Sequence, residues 1–169
     1  MEKMNHKKLK LVVLNGLIAA CYVVITALFS SFSFGVIQVR ISTVLYQLVA
    51  YNKHLYWGMV LGVVIANLLF SPFGLLDILV GVGVTGGGLA VAILINQRIN
   101  RRLVKSVVIG ISVSLAMIFV AIELVTISKV PFVITYVYLV VGQLIAQVVG
   151  LVVFSLIDRK LNLQKLLSC

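Results

Sequence analysis

The chain has 169 residues, of which 62% are hydrophobic and only 11% charged, whereas a soluble domain is about half apolar and a quarter charged. A compact soluble fold of that length cannot hide so much apolar surface, which excludes a soluble globular protein and leaves an integral membrane protein with room for roughly six spans of ~20 residues. The formal charge of +10 sits in short clusters between apolar runs, as topology signals do, and not on a surface that could read nucleic acid.

In chain order, Lys3, Lys7, Lys8 and Lys10 precede a first apolar run, Leu11–Phe34. Inside it Ile18-Ala19-Ala20-Cys21 looks like a lipoprotein processing site, but the chain continues as Tyr22-Val23-Val24-Ile25 and not as a polar tether, so an uncleaved first span is expected. Cys21 and Cys169 lie far apart in the chain, and no disulfide framework is expected. The second run, Ile41–Tyr51, is short and is entered through Gln38 and Arg40. Leu55–Phe70, Leu75–Ile95, Val107–Ile127 and Phe132–Ile157 follow. With their flanks the spans cover approximately 11–34, 36–51, 55–71, 75–96, 106–128 and 131–157 of a single membrane-embedded domain, 1–169.

Charge bias arbitrates the short second span. With six spans and the N-terminus inside, Lys3, Lys7, Lys8, Lys10, Lys53, Arg98, Arg101, Arg102, Lys105, Arg159, Lys160 and Lys165 are cytoplasmic, and only Arg40 and Lys129 are outside. Deleting span two would put most of the basic residues outside, against the positive-inside rule. The expected fold is therefore all-α: a compact six-transmembrane-helix bundle with both termini cytoplasmic and a second span that is short, tilted or partly re-entrant.

Small residues recur at four-residue spacing in Gly16/Ala20, Gly58/Gly62, Gly62/Ala66, Gly83/Gly87, Gly142/Ala146 and Ala146/Gly150. Such pairs let helix backbones approach in lipid, either within the bundle or against another membrane subunit. Pro72 and Pro131 fall at span edges, where they break no helical hydrogen bond. Gly81-Val82-Gly83-Val84-Thr85-Gly86 matches a dinucleotide fingerprint letter for letter, but it lies inside an apolar span and follows no strand, so helix packing is the expected reason for its glycines.

Polar groups in a bilayer are costly and point into the bundle or a cavity. On the six-span map Gln38, Arg40, Ser42, Thr43, Asp77, Glu123, Lys129, Tyr136 and Tyr138 lie toward the outside, with Gln47, Asn67, Gln143 and Gln147 deeper. Gln143 and Gln147, four apart, share a helix face. Their convergence predicts a polar pocket that opens outward and is closed toward the cytoplasm. Each residue also has a structural reading. Arg40 could snorkel to headgroups, Asp77 could cap a helix, and Glu123 with Lys129 could form a loop ion pair. The glutamines could hydrogen-bond between helices, and the tyrosines could anchor at the interface.

Nothing points to catalysis. His6 and His54 sit in basic segments, no His/Cys/acid cluster has metal spacing, and no phosphate-cradling loop is present. No cofactor, metal or enzymatic activity is expected, and uphill transport would need a partner or an ion gradient.

The stretch Phe34-Gly35-Val36-Ile37-Gln38-Val39-Arg40-Ile41-Ser42 follows a first span reading Asn15-Gly16-Leu17-Ile18-Ala19-Ala20-Cys21-Tyr22. Together with Asp77-Ile78-Leu79-Val80-Gly81 and Thr85 it resembles the queuosine-precursor (QueT) family over essentially the whole chain. Those proteins are S components, the substrate-binding subunits of energy-coupling factor transporters in prokaryotic cell membranes. The resemblance implies an outward-facing site for a deazaguanine-like base, contributed by Gln38, Arg40, Thr43, Asn67, Asp77, Glu123, Tyr136, Gln143 and Gln147. It also implies docking through Gly16 and Ala20 onto a transmembrane coupling subunit that is driven by two cytoplasmic ATPases. Thr43 and Gln143 stand where the family commonly has glutamate. Their loss removes obvious partners for a cationic aminomethyl group and leaves a neutral precursor, a free queuine-like base or another vitamin-like solute open. A self-sufficient homo-oligomeric channel or facilitator is the alternative of a different class.

Overall fold

Long apolar runs can satisfy their own backbone in lipid only as helices or closed barrels. Every regular element is helical in the computed structural model, which describes residues 2–30 and 40–167; no strand occurs among them. The order is α1 (Glu2–Leu28), a 3₁₀ helix η1 (Ile41–Ala50), a 3₁₀ turn (Lys53–Leu55), α2 (Tyr56–Phe70), α3 (Leu75–Asn96), α4 (Arg102–Ala116), α5 (Ile118–Ser128), α6 (Phe132–Leu161) and a short α7 (Leu163–Leu167). Five stretches are long and apolar enough to cross a bilayer: His6–Leu28, Lys53–Phe70, Leu75–Asn96, Arg102–Ser128 and Phe132–Leu161.

The expected second span differs from the other five. η1 is 10 residues long, and at ~2.0 Å rise per residue it extends about 20 Å, short of the ~30 Å hydrocarbon core. A 3₁₀ run of this length has poorly aligned internal hydrogen bonds, and here other elements compensate. Ser42, Thr43, Tyr46, Gln47, Leu48 and Val49 are all buried, and the segment packs against α1, α4 and α6. Gln147 donates its amide to the Thr43 carbonyl at 2.9 Å. Gly150 lets α6 approach so closely that a Cβ there would lie 2.6 Å from the Val44 carbonyl oxygen.

Hydrogen bonds at the two ends of the bundle trace how the legs run. At one end Arg40, just before η1, meets Asp77 in the first turn of α3. At the other, Asn52 donates to the Leu167 carbonyl at 2.7 Å and Tyr51 to that of Phe154 at 3.2 Å. η1 thus runs from the end where α3 starts to the end where α6 finishes. The leg formed by α4 and α5 is interrupted at Met117, whose N–H bonds to Ser114 in a tightened turn. That break turns Met117 inward beside Arg40 and Tyr46.

The small-residue pairs separate into two sets. Gly58 and Gly62 press α2 against α1, where added Cβ atoms would meet the Asn15 carbonyl at 2.7 Å and Tyr22 Cβ at 2.8 Å. Gly16, Gly83 and Gly87 face outward, with no atom within 4 Å of such a Cβ. The fingerprint-like glycines from Gly81 to Gly86 lie within helix α3, as their apolar setting predicts.

Candidate functional site

The convergence begins with charge. A guanidinium and a carboxylate taken out of water are costly unless they are paired and hydrogen-bonded. Arg40 donates from Nη2 to Asp77 Oδ1 at 3.1 Å, with side chains only 10% and 1% exposed. Ser71 donates to the other oxygen, Oδ2, at 2.6 Å, and Asn67 donates to the Asp77 carbonyl at 2.7 Å. The connection from α2 to α3 is thereby folded around one carboxylate. Arg40 does not snorkel to the interface. Asp77 does not cap α3 either: Gly74 is the cap position, at φ 62°, and the Asp77 carboxylate is taken by Arg40 and Ser71.

Around this pair stands a hydroxyl layer. Tyr22 and Tyr46 stack at 6.0 Å between ring centroids, with their hydroxyls 3.3 Å apart. The Tyr46 hydroxyl lies 2.8 Å from that of Thr85. Thr26 and Ser42 bring their hydroxyls to 2.9 Å, and Thr26 also reaches the Tyr22 carbonyl. Tyr22 and Tyr46 are both within electrostatic reach of the Arg40 guanidinium.

Deeper, the two glutamines of α6 do different work. Gln147 accepts from Gln47 at 2.8 Å and donates to the Thr43 carbonyl, so it is a strut between α6 and η1. Gln143 lies 3.3 Å by its Oε1 from the Thr43 hydroxyl, which itself donates to the Arg40 carbonyl at 2.7 Å. Gln143 Nε2 is buried without a hydrogen-bond partner. Glu123, only 5% exposed, has neither carboxylate oxygen hydrogen-bonded, and Asn67 Oδ1 is likewise unpartnered. Glu123 interacts electrostatically with both Asp77 and Arg40. The Glu123–Lys129 ion pair is not formed: among the described residues the ion pairs are Arg40–Asp77 and Arg102–Asp158. Buried polar atoms are nearly always hydrogen-bonded, and Asn67, Glu123 and Gln143 bring four of the eight unpartnered buried side-chain atoms among the described residues to this cluster, donors and acceptors that a polar molecule could pair.

The space among Arg40, Thr43, Tyr46, Gly81, Thr85 and Met117 is a void of about 10 Å³, room for one water. A heterocycle does not fit that space as these described residues are placed. Gly81 sets how much room there is: a Cβ there would run into Asn67 Nδ2 and fall 3.4 Å from Arg40 Nη1. Gly81→Ala is therefore expected to push Asn67 off the Asp77 carbonyl, costing about 1–3 kcal/mol as overpacking does, and to weaken binding about tenfold. Thermal unfolding and ligand titration of the purified variant check this, and a variant with both properties unchanged would show that the site has slack.

Several expected residues are not brought to this cluster. Tyr138 is 58% exposed on α6. Tyr136 stacks on Phe132 and reaches the Leu115 carbonyl only at 3.5 Å. Gln38 lies outside the described residues. Among the described residues, Tyr22 and Tyr46 are the aromatics within electrostatic reach of Arg40, and sequence reasoning missed them. Their signal was available, since a tyrosine in mid-span needs a partner for its hydroxyl, but it does not distinguish a cavity from an interhelical bond.

Comparison with known proteins gives a consistent outcome. A family model described as QueT transporter matches residues 12–159. The chain is also similar to the queuosine precursor transporter QueT of Lactococcus lactis subsp. cremoris (strain MG1363), with 27% identity over 171 residues covering 96% of this chain and 100% of that protein. No solved structure matches.

Proposed function

This chain belongs to the QueT transporter family, and from that membership we propose that it is the solute-binding S component of an energy-coupling factor importer. Its solute would be a queuosine precursor or a related deazaguanine base, taken up across the cell membrane of a prokaryote. The relative's name supports the solute class. The observation that carries the binding role is the buried Glu123 carboxylate, without a hydrogen-bond partner beside the Arg40–Asp77 pair. A carboxylate accepts paired N–H donors, such as those of a guanine-like edge. Gln143 Nε2 would donate to a ring carbonyl, and the Arg40 fork would hold the same face. Glu123 also supplies negative charge that Thr43 and Gln143 lack, so a cationic aminomethyl substituent stays compatible with the site. Asp77 acts through Arg40, holding the guanidinium in place.

In this reading the end bearing Arg40, Asp77 and Glu123 faces outward. η1 serves as a short second membrane leg, tolerated at depth because protein surrounds it. The opposite end, with Lys53, Arg98, Arg101, Arg102, Lys105, Arg159, Lys160 and Lys165, faces the cytoplasm with both termini, in keeping with the positive-inside rule. Below the site, the Gln47–Gln147–Thr43 bonds and the packed helices close the path inward. The hydrogen-bonded, packed helices below the site favour a binder that needs a coupling subunit and two ATPases over a channel.

Docking onto that coupling subunit is assigned to α1. Gly16 and Ala20 are both exposed, four residues apart, with nothing in this chain over Gly16. Close backbone approach is what drives helix association in lipid. Gly16→Leu or Ala20→Leu is expected to abolish transport and complex assembly while changing solute affinity by no more than about twofold. The purified chain alone in liposomes should bind solute without flux. Flux by the chain alone would overturn the reading in favour of a homo-oligomeric facilitator, and equal loss of binding and assembly in the α1 variants would remove the docking role.

A further inference from the structure

At the end of the bundle opposite Arg40 lies a cavity of about 550 Å³, within the ~300–1,000 Å³ range of small-molecule sites. It is built where the end of η1, the 53–55 turn, the end of α3 and the start of α4 meet, and Asn52, Lys53, His54, Asn96 and Lys105 are among the residues that line it. No acidic residue lines it, and neither lysine is in either of the ion pairs among the described residues. Asn96 is only 8% exposed; its amide nitrogen donates to the Lys105 carbonyl at 3.2 Å, while its Oδ1 has no partner.

A second cavity of about 570 Å³ abuts the first, sharing Gln97 and Ile99 with it. Its remaining lining is Leu94, Ile95 and Arg98. Leu94 and Ile95 are 64% and 46% exposed, on a helix long and apolar enough to cross the membrane. A basic polar socket therefore adjoins an exposed apolar groove, with Gln97 and Ile99 at the junction and Arg98 on the groove side. A free anion would use only the first half of that surface, whereas a molecule with a phosphate at one end and hydrocarbon at the other would use both.

We propose that this paired cavity is a binding site for an anionic phospholipid with a hydroxyl-bearing headgroup. The phosphate sits between Lys53 and Lys105, a headgroup hydroxyl donates to Asn96 Oδ1, and the first carbons of an acyl chain lie on Leu94 and Ile95. In the orientation proposed above, on which this inference rests, this end is cytoplasmic, where anionic lipid is enriched and basic pockets between membrane helices suit such headgroups. The site is remote from the solute site, and its test is independent of which solute is carried.

The test measures lipid retention by native mass spectrometry of the full chain in detergent. Phosphatidylglycerol, phosphatidylcholine and water-soluble glycerol 3-phosphate are added separately. Phosphatidylglycerol is expected to be retained about tenfold or more over phosphatidylcholine, and glycerol 3-phosphate not to be retained. The Lys53→Gln/Lys105→Gln double variant should lose phosphatidylglycerol by about ten- to a hundredfold, the effect of removing two basic contacts. Arg159→Gln/Lys160→Gln, at the same end but outside both cavities, should retain it. Equal retention of the two lipids, equal loss in the Arg159/Lys160 control, or glycerol 3-phosphate bound as well as the lipid would each overturn the proposal. Thermal unfolding of both double variants, expected to match the parent chain, separates lost binding from lost folding.

Discussion

Glu123→Gln is expected to weaken solute binding by roughly ten- to a hundredfold while the protein stays folded. The carboxylate is buried and both of its oxygens lack a partner, so a donor-bearing solute would meet two acceptors at once. A hydrogen bond to a charged group contributes about 1.5–3 kcal/mol. Losing one of the two comes to roughly ten- to a hundredfold at 1.4 kcal/mol per decade. Glutamine keeps the shape and one acceptor, but its NH₂ faces the incoming N–H. Stability should hold or rise, because a buried charge without a partner is itself unfavourable. Titration of the purified variant with aminomethyl-deazaguanine and with free queuine checks both halves of the expectation. Unchanged affinity for each, where the parent chain binds, would place Glu123 outside the site.

Asp77→Ala should act on folding first. Its carboxylate is the partner of a 90%-buried Arg40 side chain and the acceptor for Ser71. Removing one member of a buried pair strands the other and costs about 3–5 kcal/mol, a large part of the roughly 5–15 kcal/mol that holds a domain folded. For a chain of this length each kcal/mol moves the unfolding midpoint by about 2–4 °C, so a fall of about 10 °C is expected in detergent. The Arg40→Met/Asp77→Ala double variant should recover most of that fall, since apolar replacement of a buried pair is often neutral. It should not recover binding, because the guanidinium fork is gone. A single variant that melts with the parent chain would show that water reaches the pair and screens it.

Hydropathy alone located most of the helices. The expected spans at 55–71, 75–96 and 131–157 match α2, α3 and α6 to within a few residues, and 106–128 covers most of α4 and α5. The reason is one-dimensional: lipid imposes helix on any long apolar run, whatever it packs against. The same logic made Arg40, Asp77 and Glu123 stand out, because a charge at membrane depth is too costly to be incidental. α1 starts earlier than expected, at Glu2, since the lysine-rich segment before the apolar run continues the same helix and hydropathy does not register it.

Rotation and partner choice were beyond reach. Gln143 and Gln147 share a face by spacing, but one turn of depth makes Gln147 a strut to η1 and leaves Gln143 with an unsatisfied amide. Tyr136 and Tyr138 were as plausible on paper as Tyr22 and Tyr46, yet only the latter two stack beside Arg40. Sequence by itself determined the solvent this protein lives in, its helical class and the few polar residues worth explaining, because those follow from transfer free energies summed along the chain. Tertiary structure alone decided that Asp77 pairs with Arg40, that neither Glu123 oxygen is hydrogen-bonded and that Ile41–Ala50 is drawn out as a 3₁₀ helix. These depend on which faces meet at a given depth, and apolar helices of similar hydropathy leave that open until side chains such as Gly62, Gly81 and Gly150 fix how closely the backbones approach.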